Sequence, residues 1–119
     1  MTAPNLKNPT TITGKTARYA VTASLASALS NAASSNKVLK INSIFCSNVD
    51  GVNTADISVS IYDGTTDFYL AKTITVPADA TQLISTKDTY FYLEEGDSIR
   101  ALASAASDLE LVIGYEDIS

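Results

Sequence analysis

The stretch KDTYFYLEEGDSIRA (Lys87–Ala101), followed by LELVIGYEDIS (Leu109–Ser119), decides the fold of this chain. Apolar side chains alternate with polar ones on either side of an acidic turn, in which Gly96 supplies the positive φ that such a turn needs. Alternation with a period of two, interrupted by polar turns, predicts short antiparallel strands. The C-terminal third therefore predicts three strands joined by two turns, and the last strand runs to the end of the sequence.

A long strand with an irregular middle is predicted for Val38–Asn48. Its apolar positions change parity between Ile41 and Ile44, which indicates that an extra residue bulges out of the strand near Ser43. Asp63–Asp67 carries an Asp-Gly turn signal between two alternating segments, and it predicts a tight hairpin. Both features are typical of antiparallel sheets.

The two segments joined by this hairpin are predicted to be half-buried strands. Before it, the residues predicted to face the core are Ile57, Val59 and Ile61, and those predicted to face outward are Asp56, Ser58, Ser60 and Tyr62. After it, the predicted inner set is Phe68, Leu70, Ile74 and Val76, and the predicted outer set is Tyr69, Ala71, Thr73 and Thr75. Lys72 interrupts the inner set, so we expect it at a sheet edge or an oligomer contact, and Pro77 ends the strand.

Leu25–Asn31 has two interpretations. Leu25 and Leu29 are four residues apart among alanines, as in a short helix, but the serine and asparagine residues that follow are typical of a turn. We expect a short strand there, followed by a turn before Lys37.

Residues 1–15 carry two prolines and little apolar content, which predicts an extended N-terminal arm or a frayed terminus. Residues 16–119 are long enough for a single domain with its own core, and its first strand is predicted over Thr16–Thr22. We expect eight or nine short strands with hardly any helix. The predicted fold class is all-β: an antiparallel β-sandwich of jelly-roll or Ig-like type, preceded by the extended arm.

The charge distribution argues against nucleic acid and membranes as partners. The net charge is −5, and the eight lysine and arginine residues are scattered, whereas phosphate-binding surfaces need clustered cations. The apolar runs are too short to span a bilayer, and the first residues lack the basic start and apolar core of a signal peptide. We therefore expect synthesis in a cytoplasm.

The sequence offers no constellation typical of an enzyme. It contains no histidine, the commonest general base and metal ligand, and the single cysteine, Cys46, lies in an apolar run that predicts a small buried hydrophobe. The acids of Glu94–Asp97 belong to one turn, whereas paired catalytic carboxylates face each other across a cleft. Asn48–Gly51 and Asp63–Asp67 supply too few oxygens for a calcium loop, although a site shared between neighbouring loops stays open. We predict no catalytic residue, no metal ligand, no cofactor and no enzymatic activity.

Tyr62, Tyr69, Tyr90 and Tyr92 fall on predicted outward faces or near strand ends. Exposed tyrosines are common in protein-binding and carbohydrate-binding surfaces, but β-propensity alone also explains them. If they cluster on one sheet, that face is our first choice for an interface.

Several strand-and-turn phrases resemble a family of small virion proteins of tailed bacteriophages, notably phages of marine cyanobacteria. The phrases are KINSI (Lys40–Ile44), SNVDG (Ser47–Gly51), SVSIYDG (Ser58–Gly64), YLAKTITVP (Tyr69–Pro77) and YLEEGDSIR (Tyr92–Arg100). The resemblance covers roughly Lys37–Ser119. It implies a β-sandwich that attaches to the particle as a capsid decoration protein or as a component of neck, tail or fibre, and it assigns no residue an active role.

Together with this resemblance, the residues lead us to expect a structural virion protein, made in the host cytoplasm, that decorates or cements the capsid surface. Attachment is expected through the arm and a sheet edge, with the major capsid protein or other virion proteins as partners and a homo-oligomer, preferably a trimer, as the assembly state. The candidate interface residues are Pro4, Leu6, Pro9, Ile12, Tyr62 and Tyr69. The alternative is a neck, tail or fibre component, or a carbohydrate-binding module that contacts the host.

Overall fold

The computed structural model describes residues 4–119, and these residues form nine β-strands and one short 3-10 turn. The strands are β1 (Ile12–Ala20), β2 (Ala26–Ser30), β3 (Val38–Asn48), β4 (Ala55–Tyr62), β5 (Asp67–Val76), β6 (Thr81–Ser85), β7 (Phe91–Leu93), β8 (Ser98–Ala103) and β9 (Leu109–Ile118). The 3-10 turn, Lys87–Thr89, separates β6 from β7. Within this part of the chain, no helix has the length and apolar character needed to cross a membrane.

The strands form two antiparallel sheets. The first sheet has the order β1-β9-β3-β6, with β7 also paired to β3, and the second sheet has the order β2-β8-β4-β5. Because β6 and β7 both pair with β3, they act as one interrupted strand, and each sheet then has the four-strand order of a jelly roll. The predicted antiparallel β-sandwich is confirmed, and its strand order is that of the jelly-roll type.

The core lies between the two sheets and consists of aliphatic side chains from both. Ile44 of β3 and Ile113 of β9 meet Ile57 of β4 and Ile99 of β8, and all four have no exposed surface. Alternate residues of each strand enter this layer because successive side chains of a strand point to opposite faces. Burying a large aliphatic side chain contributes roughly 1.5–3 kcal/mol, so the alternation in the sequence supplies much of the stability.

The bulge predicted near Ser43 is present in β3. The register of β3 against β9 shifts between Ile41, which pairs with Tyr115, and Ser43, which pairs with Gly114. The extra residue turns the apolar side chains of the second half of the strand back towards the core. Ile41 and Ile44, on either side of the bulge, are therefore both fully buried. The long strand and its bulge are thus confirmed.

β1 starts earlier than the strand predicted over Thr16–Thr22. It runs from Ile12 to Ala20, and Ile12–Lys15 pair with Tyr115–Ile118 of β9. This pairing joins residues about a hundred positions apart in the chain, so the low apolar content of the segment gave no local sign of it. The predicted boundary at Lys15 lies inside β1, and an arm ahead of Ile12 stays a prediction.

β5 departs from the predicted alternation. Phe68, Leu70 and Ile74 were expected on the inner face, but they are 61%, 40% and 38% exposed, whereas Ala71, expected outside, is buried. Two register shifts against β4 and the positive φ of Thr73 (54°) break the period-two pattern. β5 is also an edge strand, so it has a neighbouring strand on one side only.

Ser58 and Ser60 of β4 were predicted on a solvated face, but both are buried. The Thr73 N–H of the bulged β5 donates to Ser58 Oγ at 3.0 Å. Ser60 Oγ donates to a carboxylate oxygen of Asp67 at 2.8 Å. Both side chains face away from the core set, as predicted, but they are not solvated, because contacts across the strand pair cover the small hydroxyl groups.

Two buried asparagines tie loops to the sandwich, and each is only 3% exposed. Asn31, which follows β2, donates to the main-chain oxygens of Lys37 and Leu93 at 3.0 Å each. Asn48, the last residue of β3, donates to the main-chain oxygen of Val76 at 2.9 Å. Both side chains therefore satisfy main-chain acceptors that burial has removed from water.

Asp117 of β9 joins three segments of the chain. Its Oδ2 lies 3.1 Å from Lys15 Nζ of β1 and 3.2 Å from Lys37 Nζ, just ahead of β3. Burial alone raises the pKa of Asp117, but the hydrogen bonds and charges of the two lysines outweigh burial and lower it. The same contact raises the pKa of Lys15.

We expect Asp117→Asn to lower the melting temperature at about pH 7 by roughly 2–4 °C. Because the folded-state pKa of this carboxyl is depressed, its stabilisation is present above the ordinary pKa of about 3.9 and is lost as the pH falls through the folded-state value. Melting curves of the two proteins should therefore converge between about pH 4 and pH 2. A difference that stays constant over this range would show that the carboxylate charge does not contribute.

Candidate interaction surfaces

Four of the predicted interface residues belong to β1, an edge strand of the first sheet, or to the segment ahead of it. Pro4, Leu6 and Pro9 precede β1, and Ile12 is its first residue, paired with Ile118 of β9. Leu6 and Ile12 are 47% and 55% exposed, so both are available for contact. A binding role for these residues stays a prediction.

The segment ahead of β1 is not extended throughout. The Asn8 N–H donates to the main-chain oxygen of Asn5 at 3.0 Å, which closes a turn. The N–H groups of Thr10 and Thr11 donate to the main-chain oxygen of Ser119 at 2.7 and 2.9 Å. These bonds hold the end of the segment against the end of β9, while residues 1–3 of the predicted arm lie outside the described residues.

The other two predicted interface residues, Tyr62 and Tyr69, lie in the second sheet. The Arg100 guanidinium carbon lies 4.1 Å from the ring centroid of Tyr62, and Lys72 Nζ lies 4.0 Å from that of Tyr69. A cation over the ring face stabilises such a pair and covers one side of the ring. The structure therefore separates the six predicted residues into two regions on different sheets.

Arg100 and Asp67 form an ion pair on the outer face of the second sheet. Arg100 Nε lies 3.1 Å from Asp67 Oδ1, and Nη2 donates to Oδ2 at 3.2 Å. Ser60 Oγ also donates to this carboxylate. The Asp67 carboxylate is therefore bound by residues of its own sheet, and these bonds hold β5 against β4 and β8.

The acidic turn Glu94–Asp97 is confirmed as a turn between β7 and β8. Asp97 Oδ2 accepts the Glu94 N–H at 3.1 Å, and Glu95 Oε2 accepts the Asn36 N–H at 3.2 Å. Gly96 has a φ of 88°, the left-handed conformation that glycine adopts without strain. The carboxylates of Glu95 and Asp97 accept main-chain hydrogen bonds and do not face each other across a cleft.

The two loops considered for calcium use their aspartates to close turns. Asp50 Oδ1 accepts the N–H groups of Val52 and Asn53 at 2.8 and 3.2 Å, and these main-chain bonds lower the pKa of Asp50. Asp63 Oδ1 accepts the N–H groups of Thr66 and Thr65 at 2.7 and 2.9 Å, which lowers its pKa in the same way. Among the described residues, no group of three or more acidic or cysteine side chains is arranged to hold a metal ion.

Cys46 is fully buried in the core, as predicted. Burial raises the pKa of its thiol to about 11. A thiol with this pKa is almost entirely protonated near neutral pH, and the thiolate is the reactive form. Cys46 therefore packs as a small hydrophobe.

A row of apolar side chains on the outer face of the first sheet was missed by the sequence analysis. Phe45 of β3 pairs with Val112 of β9 on one side and with Leu83 of β6 on the other. The three side chains, which we call the outer row, are 38%, 38% and 50% exposed. Strict alternation inside the apolar run around Phe45 places it opposite to its buried neighbours, and this signal could have identified it.

The outer row ends beside two charged residues. Arg18 of β1 pairs with Val112, and both residues line a shallow depression of about 300 Å³ together with Glu110 of β9. Arg18 and Glu110 are exposed. The first sheet thus offers an apolar row with one cation and one anion at its β1 end.

Tyr90 and Tyr92 are 48% and 37% exposed and form an edge-to-face pair with ring centroids 5.9 Å apart. Lys40 Nζ lies 4.3 Å from the Tyr90 centroid, and Lys40 pairs with Tyr92 across β3 and β7. Tyr92 lies in β7 of the first sheet and Tyr90 just precedes this strand, whereas Tyr62 and Tyr69 belong to the second sheet. The four tyrosines do not form one platform.

No protein-family model and no curated protein matches this chain. Among solved structures, the chain is similar to a pentameric capsid protein isolated from metagenomic phage sequences, with 17% sequence identity and a TM-score of 0.40. The similarity covers 85% of this chain and 59% of that protein, so this chain spans less than two thirds of its neighbour's length.

Proposed function

We propose that this chain is a structural virion protein of a tailed phage, which attaches to the capsid surface as a decoration or cement protein through its N-terminal segment and its first sheet. The supporting observation is exposed apolar surface in both parts, namely Leu6 in the N-terminal segment, Ile12 at the start of β1, and the outer row on the face of the first sheet. Exposed apolar patches of this kind are typical of interaction sites. Repetition over a particle converts many weak contacts into firm attachment.

In this proposal the partners are the major capsid protein or other virion proteins, and the protein resides in the virion. No catalytic step, cofactor, nucleic acid or membrane is part of the proposal. The protein is a homo-oligomer, for which the sequence analysis favoured a trimer.

Attachment is tested with phage particles that lack this protein. Purified protein mixed with such particles is expected to sediment with them, and failure to bind would refute the decoration role. Leu6→Ser is expected to weaken binding about tenfold, because burying its side chain at the interface contributes roughly 1.5 kcal/mol or more. Val52→Ser is the matched control, since Val52 is 84% exposed in the β3–β4 loop and is not part of the proposed surface.

Deleting Thr2–Pro9 tests the N-terminal segment as a whole. The hydrogen bonds of Thr10 and Thr11 to Ser119 remain in this variant, so we expect its melting temperature to stay within a few degrees of the full chain. Binding to particles is expected to fall at least about tenfold. Undiminished binding by the truncated protein would remove the segment from the proposed interface and leave the first sheet alone.

The second candidate is a neck, tail or fibre component, or a carbohydrate-binding module, and the exposed Tyr90–Tyr92 pair favours it. Aromatic rings on a protein surface can pack against apolar faces of ligands while their hydroxyls bind polar groups. A glycan array and a thermal shift with and without calcium test this role. Glycan binding that Tyr90→Ser abolishes would support the carbohydrate-binding role over capsid decoration. No binding to any glycan of the array, together with a melting temperature that calcium does not change, would reject the carbohydrate-binding role.

A further inference from the structure

Of the strands at the sheet edges, β1 alone is both long and regular among the residues that the structure describes. β1 and the β6–β7 pair border the first sheet, and β2 and β5 border the second. β2 and β6 have five residues each, β7 has three, and register shifts interrupt the pairing of β2, β5 and β6. β1 has nine residues and pairs with β9 without a shift. Short length and bulges protect edge strands against further pairing, and β1 lacks both protections.

The free main-chain groups of β1 belong to its even-numbered residues. At one end of the β1–β9 ladder, Thr11 and Ser119 exchange two hydrogen bonds of 2.9 Å, and at the other end the Val21 N–H donates to the Leu109 oxygen at 2.9 Å. Because bonded and non-bonded pairs alternate along an antiparallel ladder, the odd residues of β1 bond to β9 and the even residues direct their N–H and C=O groups away from it. These groups belong to five exposed residues: Ile12, Gly14, Thr16, Arg18 and Ala20.

Gly14 is not required by any contact within the described part of the chain. Gly64 and Gly96 have a positive φ, but Gly14 does not. A Cβ atom at Gly14 would meet no other atom within 4 Å. Glycine weakens the interior of a strand, and it often marks a place where another backbone or a ligand comes close. The space above Gly14 is therefore open to a partner.

Two opposite charges on the same face as Gly14 have no ion-pair partner. Gly14 pairs with Glu116 of β9, and Arg18 lies four residues further along β1. Three ion pairs form within residues 4–119, and neither Arg18 nor Glu116 belongs to them. Lys15, the other cation of β1, is bound to Asp117 of its own sheet. The edge thus offers one free cation, and a free anion next to the open space.

We propose that β1 pairs with β1 of a second copy of this chain, antiparallel and centred on Thr16, so that the two first sheets join into one continuous sheet. Only the even residues can bond across the interface, because only their groups are free in both copies. Thr16 then lies opposite Thr16 of the second copy, Gly14 lies opposite Arg18, and Ile12 lies opposite Ala20. All the free groups of β1 are paired, which gives about ten main-chain hydrogen bonds.

The side chains of β1 are complementary to each other in this register. On the outer face each large side chain meets a small residue, because Ile12 faces Ala20 and Arg18 faces Gly14. Arg18 of the second copy enters the open space above Gly14 and approaches Glu116. The Cα atoms of Arg18 and Glu116 are then about 10 Å apart, a distance that the two side chains span together.

The neighbouring registers fit less well. A register centred on Lys15 would place the two Lys15 side chains opposite each other, and like charges in that position are destabilising. A register centred on Ala17 would leave the free groups of Ile12 beyond the end of the second β1, which stops at Ala20. Pairing of two β1 strands at Thr16 is thus the arrangement that uses the whole edge.

The two-fold contact covers the long edge in both copies, so association through β1 stops at two subunits. It predicts an even number of subunits, in place of the trimer favoured by the sequence. The outer faces of the two first sheets lie on the same side of the joined sheet, so the outer row stays exposed. This inference goes beyond the proposed attachment, and its tests need only the purified protein, so the failure of one is distinguishable from the failure of the other.

Sedimentation analysis of the purified protein between about 1 and 100 μM tests the pairing. We expect the wild type to be a dimer and Thr16→Pro to be a folded monomer, with dissociation at least about 100-fold easier, because proline removes a central N–H that faces the second copy and not β9. Thr16→Ala is the matched control, since it keeps this N–H, and it should remain a dimer. A monomeric wild type, an odd-numbered oligomer or a folded Thr16→Pro dimer would each overturn the proposal.

Reversal of a charge tests the register. Arg18→Glu is expected to weaken the dimer at least about tenfold, because it places a carboxylate beside Glu116 of the second copy. Adding Glu116→Arg restores opposite charges and is expected to recover most of this loss. Lys87→Glu makes the same change of charge in the 3-10 turn, away from β1, and should leave the dimer unchanged. Equal dissociation of Arg18→Glu and Lys87→Glu would refute the register.

Cross-linking through an introduced cysteine tests the two-fold arrangement independently of affinity. Thr16→Cys is expected to form an intermolecular disulfide under mild oxidation, because directly paired residues have Cα atoms about 5.5 Å apart. Thr13→Cys is the control: Thr13 is exposed in the same strand, but its two copies would lie about 20 Å apart. The native Cys46 is fully buried and does not compete. Cross-linking of both variants at the same rate would contradict a two-fold axis at Thr16.

Discussion

Ile113→Ala is expected to lower the free energy of unfolding by about 3–4 kcal/mol. Ile113 is fully buried in the middle of β9 and pairs with Ile44 of β3 and Ala17 of β1. The substitution removes three carbon atoms from the core and leaves a cavity. Because β9 is hydrogen-bonded on both sides, the backbone cannot move in to close this cavity without weakening two strand ladders, so the cost should lie above the lower end of the roughly 2–5 kcal/mol range for such changes.

Urea unfolding of the wild type and the variant measures this difference. Val112→Ala is the matched control, because Val112 is the adjacent residue of the same strand but faces outward and is 38% exposed. We expect it to cost less than about 1 kcal/mol. Similar losses for the two variants would show that the inner and outer faces of β9 have been assigned wrongly.

Asn48→Ala is expected to cost about 3 kcal/mol although it removes no apolar contact. Its Nδ2 donates to the main-chain oxygens of Asn53 and Val76 at 3.0 and 2.9 Å, and its Oδ1 accepts the Asp50 N–H at 2.9 Å. Val76 is fully buried in β5 of the second sheet. In Asn48→Ala the main-chain oxygen of Val76 loses its side-chain donor, and burial keeps water from replacing that donor. An unsatisfied buried group costs about 1–3 kcal/mol by itself.

Two variants sharpen the measurement of Asn48. Asn48→Asp keeps the acceptor for the Asp50 N–H but loses both donated bonds, so we expect a loss close to that of alanine. Asn53→Ala removes an exposed side chain and leaves the main-chain oxygen in place, so we expect a change within about 0.5 kcal/mol. Equal stability of Asn48→Ala and Asn53→Ala in urea unfolding would refute the role given to the buried amide.

The parts of the fold that depend on local alternation could be predicted from the sequence. β3 was predicted with its bounds and its bulge, because the change of parity between Ile41 and Ile44 is visible in the sequence itself. The turns at Asp63–Asp67 and Glu94–Asp97 were predicted as well, because aspartate and glycine carry the geometry of a turn in their own chemistry.

Features set by distant partners could not be predicted. The inner-face pattern of β5 indicated burial of Phe68 and Ile74, but burial depends on whether the opposite sheet reaches over them, and no local pattern contains that information. The roles of Asn31 and Asn48 depend on carbonyl groups brought near by other strands. An asparagine beside a turn has the same local sequence whether it is buried or solvated.

The candidate interface also has a part that could be predicted from local sequence and a part that depends on distant strands. Leu6 and Ile12 were chosen as apolar residues in a polar segment, and both are exposed. Tyr62 and Tyr69 were chosen as tyrosines on predicted outward faces, yet they lie on the other sheet, because β4 and β5 belong to the second sheet and β1 to the first. Which exposed residues share a surface is a property of strand order, and this order was the part of the fold that the sequence left open.

The position of β9 between β1 and β3 has a consequence for folding during synthesis of the protein. Strands formed near the start of the chain must wait for a strand made about ninety residues later, so the first sheet cannot close until β9 has left the ribosome. During that interval the inner sides of β1 and β3 are exposed to aggregation. We therefore expect slow refolding in vitro, governed by docking of β9 into its gap, and a gain in soluble yield at low temperature, because association through exposed apolar surface weakens on cooling.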